Sequence, residues 1–379
     1  MTRIDAAFLH DPALIAVLDV IEDGGHRALL VGGCVRNALI GAVVADVDIA
    51  TDARPTRVIE LATAAGLRVV PTGIDHGTVT IVSGGTGFEV TTFRRDVETD
   101  GRRAVVAFSD RLEDDAARRD FTMNALYAAR DGRVIDPVDG LPDLAARHLR
   151  FVGKARARIT EDYLRILRLF RFLAWYGRDV HSDAIAACTE LSAGLEKISA
   201  ERITAELRKL LAAPDPGPAM ALMAQTGVLP HVLPGATPQA LPALIALEKA
   251  TGTAPDWPRR LALLTTGTAH LRLSRAEAKA QENLTKARHW PLGKTAYHLG
   301  PAWATDAALI AAARGTPLPD DWRAIIASAA PLPITAADLL PDLTGPALGR
   351  ALATAETRWI ASGFTLDRLA LIAAARTDR

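Results

Sequence analysis

Cysteine is almost absent. Cys34 and Cys188 are the only two in 379 residues. They stand far apart with no metal-ligand spacing, which excludes a disulfide framework and a zinc site and suits a reducing compartment. No apolar run is long enough to span a bilayer, and the opening MTRIDAAFLHDP lacks the pattern of a secretory leader. The expectation is a cytoplasmic protein with neither membrane nor disulfide-linked partners; nothing in the chain speaks to its oligomeric state. Net charge is missing too, 44 Lys and Arg balancing 44 Asp and Glu. Bulk charge therefore cannot recruit a polyanion, and any such partner must be met locally. One stretch is suited to that: from Arg147 to Arg178 nine basic residues face two acids. It is either a phosphate-facing stripe or a solvated helix face.

The length exceeds what one core usually fills, so two or more domains are expected. Up to about residue 140 the short runs ALLVGG, VADVDIAT, TVTIVSGG, GFEVTTF and RVIDPVDG read as strands between turn residues. Among them RPTRVIELATAAG reads as an amphipathic helix ending on Gly66. Beyond DPVDGLPDL strand signals nearly vanish, and helical periodicity broken by proline clusters takes over. No fixed-period repeat is present. The class is α+β: a head over residues 1–140, a helical neck over 141–213, and an all-helical body and tail over 214–379.

VGGCVRNALIGAVVADVDIAT, Val31 to Thr51, carries the densest chemistry. Strand, Gly32-Gly33 turn and helix together leave bare backbone and helix N-terminal amides open to a phosphate, with Arg36 as a fixed cation in the first turn. The spacing is neither a dinucleotide fingerprint nor a P-loop. Asp46 and Asp48, alternate residues of a predicted strand, would point to one face about 6–7 Å apart. Two carboxylates there repel unless a cation sits between them, and Mg²⁺ is the natural occupant; the alternative is a solvent-facing pair on an edge strand. Glu89, on another predicted strand, either completes the carboxylate set or is an ordinary polar strand residue. In RRDFTMNALY, Arg119 can reach a triphosphate. Asp120 can bind a ribose hydroxyl, position Arg119, or simply suit a helix start.

TEDYLRILRLFRF reads as one helix capped by Thr160. Asp162, Arg165, Arg168 and Arg171 recur every three residues along it, opposite Leu164, Leu167 and Phe170. An acid and guanidinium groups projected together offer the acceptors and donors that a base edge requires; an intrahelical salt-bridge ladder is the other reading.

In this order, GGCVRNALIG, DVDIAT, PTGIDHGTVTI, FEVTTFRRD, RRDFTMNAL, DPVDGLPDL and EDYLRILRLFRF resemble the ordered signatures of the class II tRNA nucleotidyltransferases, the CCA-adding enzymes, and their bacterial poly(A) polymerase relatives. The resemblance covers roughly residues 28–233. It implies a mixed-sheet nucleotidyltransferase head with Asp46 and Asp48 as catalytic Mg²⁺ ligands, and Gly32, Gly33, Arg36 and Arg119 at the incoming nucleotide's phosphates and ribose. It also implies Asp162 and Arg165 as readers of CTP and ATP, with Arg168 and Arg171 continuing that face, and the tRNA 3′ end as the partner. Asn37 stands where the family commonly has Asp, and so lacks the charge that would orient Arg36. RRDVETDGRRAVVAFSDRLEDD resembles the family's flexible loop at a length that fits complete CCA addition. A poly(A) polymerase, a partial CC- or A-adding enzyme, and a non-catalytic RNA-binding protein of the same fold are the rival readings.

Overall fold

The computed structural model describes residues 2–100 and 103–377. Contacts divide the chain into two compact units, Met1–Leu210 with Pro218–Val232, and Leu211–Gly217 with Leu233–Arg379.

The first unit opens on a sheet. Its strands are β1 (Ala28–Val31), β2 (Asp48–Thr51), β3 (Arg68–Gly73), β4 (Thr78–Ser83) and β5 (Thr86–Thr92). A separate hairpin, β6 (Arg94–Asp100) and β7 (Arg103–Phe108), precedes the short β8 (Tyr127–Ala128) and β9 (Val134–Ile135). The seven-stranded sheet runs β3-β4-β5-β2-β1-β8-β9; only β2 and β5 pair in parallel, so it is mixed and the fold is α+β. Val-, Ile- and Phe-rich runs commit these segments to the pleat, and β4 alternates buried with half-buried residues along its length. Helices α1 (Pro12–Asp23) and α3 (Pro55–Ala64) pack on β4, while Leu29, Val31, Ala50, Phe93 and Tyr127 centre a further core cluster.

Three sequence expectations change here. The run VADVDIAT is a strand only from Asp48 onward. RRDFTMNALY is no helix: after a single 3₁₀ turn at Thr122–Asn124 it enters β8, and residues 121–128 are buried throughout. The stretch expected as a flexible loop pairs as β6–β7 across residues 94–108, with 101 and 102 outside the described residues.

After α2 (Gly33–Ile40), α4 (Leu112–Ala117) and α5 (Gly140–Ala146), the unit is helical: α6 (Ala155–Glu161), α7 (Leu164–Tyr176), α8 (Ser182–Leu191) and α9 (Ala200–Leu211). The second unit is helical among its described residues. One of its cores gathers Leu339, Ala351, Ala355, Trp359 and Leu371. No described helix is long and apolar enough to cross a membrane, and no described cysteine is bonded.

Candidate active site

Strand register builds the site. β1 ends at Val31, whose partner on β2 is Asp48, and Asp48 is in turn the partner of Glu89 on β5. The Gly32-Gly33 turn therefore emerges beside the first carboxylate, and the second lies one strand further on. Gly32 has φ +71°, and an added Cβ would stand 3.2 Å from Arg119 Nη1 and 3.6 Å from the Asn124 carbonyl. The backbone conformation thus calls for glycine, and any side chain there would also press on Arg119. Gly33 opens α2.

Asp46 lies in the irregular segment before β2, not on the strand, so pleat alternation does not bring it to Asp48. The two are nonetheless close enough to interact. Solvent reaches Asp48 from the open side, yet burial raises its carboxyl pKa, as do the charges of Glu89 and Asp46, with Arg119 opposing. Among the described residues no three His, Cys, Asp or Glu side chains are gathered as a formed metal cage. The donor set itself is all hard carboxylate oxygen under mutual repulsion, the chemistry that a divalent cation relieves.

The cationic side is held from behind. Arg119 Nε and Nη2 donate to Asp115 Oδ2 at 3.2 and 3.0 Å, and Nε also donates to the Tyr127 hydroxyl at 3.0 Å. Burial works against its charge, but the Asp115 carboxylate more than offsets this and its pKa rises. Asp120, which might have positioned Arg119, does something else. Its Oδ1 accepts from the Phe121 amide and Asn124 Nδ2, and its Oδ2 from Arg168. Burial alone would raise that carboxyl; the Arg168 charge and these bonds hold it at about 2. The resulting stability is complete above the ordinary carboxylate range and is lost only as pH falls toward 2.

Arg36, on α2, is buried against α7. Its guanidinium lies 4.0 Å from the Tyr176 ring centre and 5.2 Å from that of Phe172, and Nη1 donates to Asn124 Oδ1. Burial lowers its pKa, with Tyr176 and Asp120 opposing. Asn37 does orient it without charge: Oδ1 accepts from Arg36 Nε at 3.0 Å and Nη2 at 2.8 Å, while Nδ2 donates to the Val43 carbonyl at 2.6 Å. That last bond ties down the segment leading to Asp46, and an aspartate could not donate it.

The stretch from Thr160 to Phe172 differs from the single helix expected. α6 ends at Glu161 and α7 begins at Leu164, so Asp162 lies in the break. Thr160 caps nothing; its hydroxyl donates back to the Arg156 carbonyl. Asp162 Oδ1 accepts from the Leu164 amide and Oδ2 from Arg202 at 2.6 Å, not from Arg165. Arg165 pairs with Glu161, Arg168 with Asp120, and Arg171 with Glu206 at 2.6 Å. Leu164, Leu167 and Phe170 are buried on the other face. Six of the nine basic residues of 147–178 hold carboxylates in this way, leaving Arg147, Lys154 and Arg178 without one among the described residues.

Asp115, Tyr127, Asn124, Tyr176, Arg202 and Glu206 were missed by sequence reasoning. The Asp115–Arg119 spacing of four on a helical run was a usable signal. The others reach the site only through tertiary packing.

Comparisons with known proteins bear on this geometry. The model of the Poly A polymerase head domain matches residues 28–150, and that of the probable RNA and SrmB- binding site of polymerase A matches residues 179–239. The CCA-adding enzyme of Leuconostoc citreum is 45% identical over 197 residues, 52% of this chain and 48% of the relative. The mitochondrial CCA tRNA nucleotidyltransferase 1 of Mus musculus is 41% identical over 231 residues, 59% of this chain and 52% of the relative. The chain thus spans about half the length of the curated relatives it matches. Among solved structures, the Bacillus stearothermophilus CCA-adding enzyme in complex with CTP superposes with a TM-score of 0.71 at 28% identity, covering 96% of each chain. The Thermotoga maritima CCA-adding enzyme complexed with tRNA gives 0.72 at 18% identity, covering 99% of each, a likeness of fold alone.

Proposed function

We propose that the chain is a member of the family of CCA-adding enzymes and poly(A) polymerases whose models and relatives it matches, and that it adds C, C and A to the tRNA 3′ end from CTP and ATP, releasing pyrophosphate. The observation that carries this reading is the register Val31–Asp48–Glu89, which sets a glycine turn and its Arg119 beside paired carboxylates. Site residues, Mg²⁺ dependence, a cytoplasmic location and the division into head (1–140), neck (141–213) and body with tail (214–379) are parts of the same proposal.

Asp46 and Asp48 would hold Mg²⁺, with Glu89 beside them. When bound, the ion supplies charge neutralisation at the triphosphate and lowers the pKa of the attacking 3′-hydroxyl. The chain's own residues do the rest. Gly32 and Gly33 admit the triphosphate without a side chain in the way. Arg119, fixed by Asp115 and Tyr127, presents its guanidinium to that turn, so little reorganisation is needed as charge builds on the phosphates. Asp162 and Arg165 read the base. Each is already held by a protein partner, and each keeps hydrogen-bonding capacity: a guanidinium has five donors and a carboxylate about four acceptor sites. Arg168 and Arg171, clamped by Asp120 and Glu206, extend that face. Arg147, Lys154 and Arg178 remain for the RNA backbone, which duplex RNA offers in place of readable base edges.

The test uses tRNA transcripts ending before CCA, after C and after CC, each with Mg²⁺ and CTP, ATP or both. Extension of all three that stops at CCA is expected. Growth beyond it with ATP alone would make the protein a poly(A) polymerase, and no extension would make it a binding protein.

Asn37 gives a second prediction. N37D keeps an acceptor for Arg36 but sets a carboxylate oxygen against the Val43 carbonyl in place of a donor. Losing one net hydrogen bond of about 1 kcal/mol should raise the Mg²⁺ concentration for half-maximal incorporation roughly fivefold. An unchanged Mg²⁺ titration would show that this tether does not govern Asp46.

A further inference from the structure

The second unit holds a basic cavity of its own, about 250 Å³ in volume, built wholly from residues 284–316. Arg288, His289 and Trp290 follow the helix Arg275–Ala287; Ile310, Arg314 and Thr316 come from the end of the helix Pro301–Ala313 and its continuation. No acid lines it.

Part of each guanidinium has a structural job. Arg288 Nη2 donates to the Ala262 carbonyl and Arg314 Nη2 to the Leu263 carbonyl at 2.6 Å. These carbonyls lie at the C-terminal, negative end of the helix Trp257–Leu264, a favourable seat for cations. The remainder is unaccounted for. Arg288 Nε is buried without a partner, and among the described residues no carboxylate pairs with either arginine. Burial and the neighbouring Arg314 charge both lower the Arg288 pKa, the direction expected for cations crowded together.

The same unit shows what it does with arginines buried for structure. Arg259 and Arg260 are equipped with Glu248 and Asp306. Arg288 is half-buried and Arg314 exposed, and neither has such a counter-ion among the described residues, so both remain open to an anion from solvent. At the rim, Lys294 sits 5.0 Å from the Trp290 ring centre, and the His298 ring 5.5 Å from it, adding cationic and aromatic surface.

We propose that this cavity binds a phosphate oxyanion through Arg288 and Arg314, with the Trp290 ring available to a sugar or base attached to it. Guanidinium forks match phosphate oxygens in number and geometry, and aromatic faces stack on nucleobases of any sequence. The phosphate belongs either to a small free ester or to a polynucleotide backbone; the binding chemistry is common to both. This site is independent of the proposed nucleotidyl transfer, and its readouts need no catalysis.

The test uses the full chain and the double variant R288Q/R314Q, which keeps polar, hydrogen-bonding side chains but removes both charges. Melting temperature is measured in sodium phosphate against sodium chloride at matched ionic strength. Binding of a tRNA transcript is measured across a salt series. Phosphate should raise the melting temperature of the wild type, and the double variant should lose that increment. R288K/R314K, which keeps both charges, should retain part of it. If the variant also shows a salt slope shallower by about 0.7–0.9 for each RNA phosphate the two arginines no longer neutralise, the natural phosphate is in RNA; an unchanged slope assigns the site to a small free ester. A wild type that phosphate does not stabilise beyond chloride, or a double variant that keeps the full increment, overturns the proposal.

Discussion

Asp48→Asn should abolish incorporation while raising the melting temperature of the metal-free protein. The stability gain follows from the pKa. Burial, Glu89 and Asp46 all push the Asp48 carboxyl upward, so its ionised form is less comfortable folded than unfolded near neutral pH. A neutral amide of the same shape removes that repulsion. The catalytic loss follows from the same chemistry: an amide is a poorer ligand for a hard dication, and the cation's transition-state stabilisation is worth several kcal/mol. At 1.36 kcal/mol per tenfold in rate, the fall should be at least about 10³-fold. tRNA affinity should stay near the wild-type value. Mg²⁺ should raise the melting temperature of the wild type but not of the variant, a readout that needs no turnover. Retained turnover in D48N, or equal Mg²⁺ stabilisation of both proteins, would remove Asp48 from the metal site. Opposite movement of activity and stability is the signature of a site strained for function.

The contrast between Asp48 and Asp46 marks how far local sequence pattern reaches. Gly32-Gly33 and the strand beginning at Asp48 were legible because a β-run ending in glycines, and a second run opening on an acid, are local signals. The pairing of Asp48 with Glu89 across parallel strands was not, since register between segments forty residues apart is set by the whole sheet. Asp46 was assigned to the wrong local structure for a related reason: apolar and acidic residues alternate from Ala45 to Asp48, but just before Asp46 the chain is tied to α2 by Asn37, not to a strand. In the neck, a three-residue recurrence of charge suggested one continuous polar stripe. The helix instead breaks at Asp162, whose carboxylate caps the Leu164 amide and reaches Arg202. Periodicity could identify which side chains face away from Leu167 and Phe170. It could not say that Asp120 and Glu206 would neutralise Arg168 and Arg171, because those carboxylates arrive from elsewhere in the fold; only Glu161, four residues before Arg165, was within local reach.

Glu248→Ala should be the most destabilising single change in the second unit. Glu248 is buried; its Oε1 accepts from Arg259 Nε at 3.0 Å and its Oε2 from Arg260 Nε and Nη2 at 3.1 and 2.7 Å. Arg260 is wholly buried and, among the described residues, otherwise donates to backbone carbonyls, those of Leu211, Ala213 and Pro214. Arg259 still has Asp306 at 2.7 Å. Removing Glu248 therefore strands one guanidinium without an anion, a loss of about 3–5 kcal/mol. Because the chain has two compact units, calorimetry should show a lower-temperature transition splitting from the main one, not a uniform shift. E248Q, which keeps an acceptor but no charge, should fall between. Replacing Glu248 and Arg260 together with apolar residues of similar size should recover most of the loss, since a buried ion pair exchanged whole is often neutral. Recovery should be incomplete, because the carbonyls served by Arg260 would then lack a donor. If E248A melts as the wild type does, Asp306 alone neutralises the cluster and Glu248 is dispensable.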